Sequence, residues 1–476
     1  PRSLDAPTCA RKDGDVEASL TPAKESRVKS TRQQRAWYWY DWANSAYVTT
    51  TATVILGPYL TSIATRAACP DLSAGEVCST PVNLLGFAVL PGAVHPFLVT
   101  ISTILSLVAL LIIGVIADRS KHPQWWLGGL AWVGAAAASA MFFVADTNWQ
   151  LGAVLMIVAN VCVGASQVIY DGILVRIAQP DDRDRVSSRG WALGYLGGGL
   201  LLAINLVTMT AYESLGISYG LAIRLSLLSA GLWWGLFTLI PVIGLRSLPP
   251  RALDGLQARA TVRTNPVRQL ANTFADLRNY PQTLLFLAAY LFYNDGIQTV
   301  IGQSSLYAQS ELQMSTSQVM ITFLLTQFVA FGGALLFGRV AGVLGAKRTV
   351  LIGIVIWFAV VAVAFFLPAG VFVALLALGA AIGLVMGGTQ ALSRSMYSQL
   401  VPKGREAEYF SFYQAMERGT SWLGTLSFAL VFQFSQSYRL AILALVVFFL
   451  VGGLLLTRVD MRKGILEAGN VLPKVL

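Results

Sequence analysis

The chain has 476 residues, of which 55% are hydrophobic and only 12% charged. A soluble globular protein carries about 25% charged residues, so this composition excludes that class. The apolar runs do not alternate, which excludes a membrane β-barrel, and the net charge of +10 is gathered in alternate connections, which points to membrane orientation rather than nucleic-acid binding.

Residues 1–36 are polar, charged and without an apolar signal core, and are expected to form a disordered cytoplasmic tail rather than a cleaved signal. Twelve apolar runs come after it, at 37–61, 93–116, 125–145, 150–175, 191–212, 222–245, 282–303, 315–338, 348–367, 371–395, 408–432 and 438–457. Each is long enough to cross a hydrocarbon core of about 30 Å as a helix. Cys69 and Cys78 share the one sizeable exterior loop, where a disulfide can form and persist; two free thiols are the alternative. The longest cytoplasmic connection, 246–281, is basic, carries Pro249, Pro250 and Gly255, and ends at Pro281. It separates an amino-terminal bundle, 37–245, from a carboxy-terminal bundle, 282–457, and leaves 458–476 as a second cytoplasmic tail. The expected fold is therefore an all-α integral membrane protein of twelve helices in two pseudo-symmetric six-helix bundles. Basic residues such as Arg119, Lys121, Arg183, Lys347 and Arg462 fall on one side and few on the other, which places both termini in the cytoplasm.

The two halves echo each other. "GASQVIYDGILVRIAQP" from Gly164 in the fourth run matches "GGTQALSRSMYSQLVP" from Gly387 in the tenth. "YDWANS" in the first run is echoed by "YNDGIQ" in the seventh, and "GVIAD" closing the second by "GRVAG" closing the eighth. Paired signals of this kind mark a transporter with its site at the repeat interface.

Ionisable groups inside such helices are costly, about 2.5–3.5 kcal/mol each on insertion scales, and are candidates for function. They are Asp41, Asp171, Asp295, Arg394, Glu417 and Arg418. Asp41, among the aromatics of "WYWYDWANSAY", reads either as a carboxylate favoured by a helix N-terminus or as part of a solute pathway with Asn44 and Tyr47, which share a face. Asp295 lies deeper, beside Gly296 and ahead of Gln298, and is read as a substrate- or ion-handling group, with a satisfied helix–helix hydrogen bond as the alternative. Asp171 and Arg394 occupy equivalent places in the two repeats. They can pair across the midline or locally with Arg418 and Glu417, as a gate or as a permanent tie. Gln167 and Gln390 complete the residues expected to face a central cavity, and Asp295 or Asp41 is the expected proton carrier.

Among soluble-enzyme signatures, no phosphate loop, HExxH or CxxC pattern is present, and the Gly197–Gly199 run lies in an apolar helix. Neither an enzyme nor a bound cofactor or metal is expected.

The "GVIADRSK" stretch resembles the loop pattern of the major facilitator superfamily, with Gly114, Asp118, Arg119 and Lys121 at the matching positions. That resemblance implies a cytoplasmic latch there; the pattern's second glycine is missing, and the eighth-run copy carries Gly342 in place of the aspartate. Within the superfamily, "YDWANSAY", "YDGILVRIA", "RVSSRGWALGYLGGGLLL", "FYNDGIQTV" and "SRSMYSQLVPKGREAEYFSFY" resemble the Atg22-like (UMF1) group of vacuole-effluxer relatives. The resemblance implies a secondary transporter working by alternating access, with an amino acid or short peptide as the first substrate expectation and efflux as the direction. A lipid or amphiphilic drug is the second expectation, and a non-transporting scaffold or sensor the alternative of another class. A proton is the candidate coupling ion, membrane lipids and a small solute the expected partners, a monomer the expected state and a bacterial inner membrane the expected location.

Overall fold

A computed structural model describes residues 31–71, 78–84, 86–249, 275–419, 422–435 and 437–476. Residues 1–30 of the expected tail and 250–274 of the expected linker lie outside the described residues. The first half comprises α1 (Arg32–Ala46), a π-helical stretch (Tyr47–Ile55), α2 (Leu56–Ala68), α3 (Pro91–Arg119), α4 (Pro123–Ala140), α5 (Trp149–Ile177), α6 (Arg183–Thr210) and α7 (Tyr219–Gly244). The second half comprises α8 (Pro281–Ser310), α9 (Thr316–Leu344), α10 (Ala346–Phe365), α11 (Phe372–Leu400), α12 (Glu406–Gly419), α13 (Trp422–Ser435), α14 (Tyr438–Ala444) and α15 (Val446–Arg458), and then a short α16 (Met461–Glu467).

Helix starts obey local chemistry. Thr31 caps α1 in a capping box with Gln34, Ser315 does the same for α9 with Gln318, and prolines open α3, α4 and α8. The capping box corrects one expectation: residues 32–36 are the first turn of a helix, with Gln34 and Ala36 buried, and not part of a tail. Among the described residues, ten helices are long and apolar enough to cross a membrane. The first span comes as α1, the π stretch and α2, and the twelfth as α14 and α15; the eleventh is described as α12 and α13 on either side of residues 420–421, which lie outside the described residues.

The halves are built alike. In the first, α5 packs on α3 and α4, and α1 on α6 and α7; in the second, α11 packs on α9 and α10, and α8 on α12, α13 and α15. The seam obeys the same symmetry, with α6 against α9 and α11, and α12 against α3 and α5. Each half has its own apolar core. The glycines of α6 allow α1 to approach closely: a Cβ on Gly194 would meet Ser45 Oγ at 2.7 Å, and one on Gly198 would meet Thr49 Oγ1 at 2.7 Å. Both described chain ends lie on one face, termed the terminal face. The opposite, disulfide face carries the Cys69–Cys78 bond and a small antiparallel hairpin, β1 (Val82–Leu84) with β2 (Phe87–Val89).

Candidate functional site

The halves meet, toward the terminal end of their helices, on one guanidinium. Arg394 of α11 is only 1% exposed. Its two Nη atoms lie 3.3 Å from Asp41 Oδ2 on α1 and 3.3 Å from Asp171 Oδ1 on α5. Its Nε donates to Ser187 Oγ at 2.9 Å and one Nη to the Ser187 carbonyl at 3.0 Å, both on α6. A forked donor set of this kind suits arginine and not lysine. The aromatics around Asp41 also find their place here. The Arg394 guanidinium lies 4.9 Å from the Trp37 ring, 5.3 Å from Tyr170 and 5.4 Å from Trp191, and Tyr170 donates to Asp41 at 2.6 Å.

From this cluster the network runs into α12. Gln414 donates to Asp171 Oδ2 at 2.8 Å and to Glu417 at 3.4 Å, and accepts from Arg418 at 3.2 Å. Tyr290 of α8 also donates to Glu417. Asp41, Asp171 and Glu417 against Arg394 and Arg418 make three acids and two bases, one negative charge in excess when all are ionised.

A cavity of about 480 Å³ stands on this cluster and extends toward the disulfide face. Its floor includes Asp41, Glu417 and Arg418, and Asn44, Gln167, Gln298 and Gln390 line its sides. Asn44 donates to Gln167, and Tyr195 to Gln390 across the seam. The first-half wall is rich in hydroxyls and amides, among them Ser45, Thr49, Ser102 and Asn160. The second-half wall combines an apolar stretch, Val319, Phe323, Val360, Leu378 and Met386, with Ser304, Thr322, Thr326 and Gln327.

Four residues expected on the cavity wall do not line it. Asp171 and Arg394 lie beneath the floor, spent on each other across the midline. Tyr47 turns into α5, where it donates to Asn160. Asp295 accepts the Gly424 N–H of α13 at 2.7 Å, a tie between two elements of one half. Asp41, for its part, is the tenth residue of α1, beyond reach of the helix N-terminus, so the capping alternative does not describe it.

On the terminal side of the cluster the seam is shut. The Asp118 carboxylate accepts from the N–H groups of Ala407 (3.0 Å) and Glu408 (2.8 Å), capping α12 from the other half. Gly114 permits that approach: a Cβ there would meet the Ala407 carbonyl at 2.8 Å and Ser411 Cβ at 2.9 Å. Arg119 is half-buried and Lys121 exposed at the same corner. Gly338, the counterpart of Gly114, is approached as closely, with a Cβ there 2.6 Å from Ser188, but Gly342 stands where Asp118 does and has no carboxylate, so the cap exists on one side only. Arg183 donates to the Ser398 carbonyl at 2.7 Å, and Gln399 to the Pro180 carbonyl at 2.8 Å, closing the other corner.

Residues 29–469 match the family model described as vacuole effluxer Atg22 like. The chain belongs to that family. The uncharacterized MFS-type transporter YxiO of Bacillus subtilis (strain 168) is 30% identical to this Atg22-like chain over 447 residues, covering 93% of the chain and 99% of YxiO. Autophagy-related protein 22-1 of Penicillium rubens is 24% identical, covering 94% and 93%. Among solved structures, the proton:xylose symporter XylE bound to 6-bromo-6-deoxy-D-glucose aligns with TM-score 0.65 at 11% identity, covering 90% of this chain and 95% of its own. The major facilitator superfamily transporter FucP in the outward conformation aligns with TM-score 0.61 at 13% identity, covering 90% and 98%. The protein is an integral membrane transporter of the major facilitator type, with the twelve-helix, two-bundle fold of that superfamily; its relatives are transporters and not enzymes.

Sequence reading missed Ser187, Gln414, Tyr170, Trp191 and Tyr290. Gln414 alone carried a signal: it stands one helical turn before Glu417, on the same face.

Proposed function

We propose that this protein is a secondary transporter that moves a small zwitterionic solute, an amino acid or short peptide, by rocking its two halves about the Asp41–Arg394–Asp171 cluster. The observation that carries the reading is a cavity with a charged floor on the disulfide side, ending at an ion pair whose partners belong to different halves. The terminal face is cytoplasmic in this proposal, by the distribution of basic residues, so the described state faces outward. A zwitterion suits a floor holding both Glu417 and Arg418, and the stretch around Val319, Phe323 and Leu378 accommodates an apolar side chain.

Coupling comes from the charge count. Opening the terminal face draws Arg394 away from Asp41 and Asp171 and leaves two first-half carboxylates without their cation. Ions unpaired in a low-dielectric site are costly, and a proton that will be given up to the cytoplasm restores the balance when it enters through the cavity from the disulfide side. Arg394 and the proton thus compete for the same acids, and acid conditions on that side favour opening. The plasma membrane of a bacterium is the proposed location and efflux the proposed direction.

Purified protein in liposomes with imposed pH gradients tests this reading. Flux of labelled amino acids or dipeptides that a proton gradient drives in the parent and no longer drives in an Asp171→Asn protein is the expected result. Flux of amphiphilic drugs or lipids with none of amino acids or peptides would replace the substrate class, and flux indifferent to pH would remove the coupling. The amphiphile alternative draws on the apolar stretch of the second-half wall. A non-transporting scaffold leaves the polar lining of the cavity without a purpose.

A further inference from the structure

A second concavity lies far from the transport cavity, on the terminal face of the second half. It is a cleft of about 580 Å³ between the start of α10, the end of α15 and the turn into α16. Lys347, Arg348, Arg458 and Arg462 line it, with Asp460 the one acidic side chain and Leu476 at its edge. Two of these charges are already engaged. Lys347 donates to the carbonyls of Thr457 (3.0 Å) and Val459 (2.7 Å), tying α10 to the end of α15, and Asp460 accepts the Lys463 N–H that opens α16. Arg348, Arg458 and Arg462 have no hydrogen bond or ion pair of their own among the described residues. Three guanidiniums are thus held around one concavity by a scaffold that does not neutralise them.

The surface beneath the cleft narrows the ligand. Leu351 is in its wall, and Val355, one turn further along α10 on the same face, is 67% exposed. Leu454, one turn before Arg458 on the same face of α15, is 66% exposed. The neighbouring helices α10 and α15 therefore present a basic cleft at the membrane boundary above a pair of apolar, outward-facing ridges. A soluble anion would use only the first of these features. We propose that the cleft binds the headgroup of an anionic phospholipid, with its phosphate among Arg348, Arg458 and Arg462 and its acyl chain along Val355 and Leu454. Guanidiniums grip phosphate oxygens with paired donors, and basic pockets at the ends of membrane helices favour such headgroups. Every residue involved belongs to the second half, so the lipid would ride on one rigid body and need not leave as the halves rock.

The test uses the full-length protein, stripped of lipid in detergent and rebuilt into nanodiscs of phosphatidylglycerol or phosphatidylcholine. Phosphatidylglycerol is expected to raise the melting temperature above that in phosphatidylcholine and to be retained preferentially when released complexes are weighed by native mass spectrometry. In an Arg348→Gln/Arg458→Gln/Arg462→Gln protein the preference should fall by roughly a hundredfold, the scale set by three cations at a membrane surface. Its melting temperature in phosphatidylcholine should match the parent, which shows that the variant folds. Val355→Asp is the second variant: it keeps the cations, spoils the acyl track and should weaken phosphatidylglycerol retention. Inorganic phosphate and glycerol phosphate, added to the protein in detergent, should leave the melting temperature unchanged. An undiminished preference in the triple variant, or no preference in the parent, would overturn the proposal. So would an equal response to inorganic phosphate, which would make the cleft a soluble-anion site.

Discussion

Asp171 and Asp295 look alike in the sequence, each a lone carboxylate deep in an apolar helix, and each accepts a hydrogen bond from the eleventh span. The difference lies in which body holds the partner. Asp171, in the first half, bonds Gln414 and Arg394 of the second. Asp295, in the second half, bonds Gly424 of the same half. Relative motion of the halves must break the first set and leaves the second alone. The cost of burying a charge marks both residues equally; only the membership of the partner separates a group that reports conformational state from one that holds a bundle together.

Removing the shared cation breaks the comparison most severely. Arg394→Leu leaves Asp41 and Asp171 buried side by side, and loss of one partner of a buried pair costs about 3–5 kcal/mol. Transport in liposomes is expected to vanish and the purified variant to melt well below the parent. Arg394→Lys keeps the charge but not the fork that also reaches Ser187, and should retain a small fraction of the flux. Parent-like flux in Arg394→Leu would show that the cross-half pair has no part in the cycle.

Crowding the seam is the next largest perturbation. Gly114→Val drives a side chain into the Ala407 carbonyl and Ser411, and overpacking of this kind costs about 1–3 kcal/mol. The cost falls only on the state in which α3 touches α12. A cysteine placed by Ser398→Cys, buried at the closed seam, is expected to react with a membrane-impermeant maleimide faster in the Gly114→Val background. Unchanged labelling would mean that the Asp118 corner does not hold this face shut.

Asp295→Asn should then separate the two aspartates. It replaces a carboxylate oxygen by an amide oxygen as acceptor of the Gly424 N–H and should change the melting temperature little. The pH profile of transport should be unaltered, whereas Asp171→Asn should flatten it. A flattened profile in Asp295→Asn would return that residue to the coupling role.

This contrast also marks how much was legible in the sequence. Twelve runs and the repeat pairing came from hydropathy and spacing, because lipid forces every spanning segment into a helix of known length. The Asp171–Arg394 relation was visible because equivalent repeat positions face the pseudo-symmetry axis. The direction of Asp295 was not, since one residue of helical rotation turns a side chain by about 100°, and apolar runs without a polar face fix no such angle. The π-helical stretch Tyr47–Ile55 rotates the remainder of the first span in the same way, so faces counted from Asp41 drift along it. Ser187 was invisible for another reason: neutral and common, it acquires meaning only from the charge that tertiary structure brings to it.

The smallest perturbation asks whether crossing the seam is enough by itself. Asp181, in the first half, accepts the Lys474 N–H at 2.6 Å and lies 4.0 Å from its Nζ. The pair spans the halves just as Asp171 and Arg394 do, but the Lys474 side chain is 88% exposed and that of Asp181 45%. Water replaces either partner at little cost, and solvated pairs contribute about 0–1 kcal/mol. Lys474→Ala leaves the backbone bond intact and is expected to change neither melting temperature nor flux. Asp181→Ala removes both contacts and should raise flux slightly, if at all, by easing separation of the terminal face. A large gain in flux from either variant would mean that the rate is set by the surface of the seam and not by the buried cluster beneath it. The burial of Arg394, and not its position between two halves, would then have lost its claim on the mechanism.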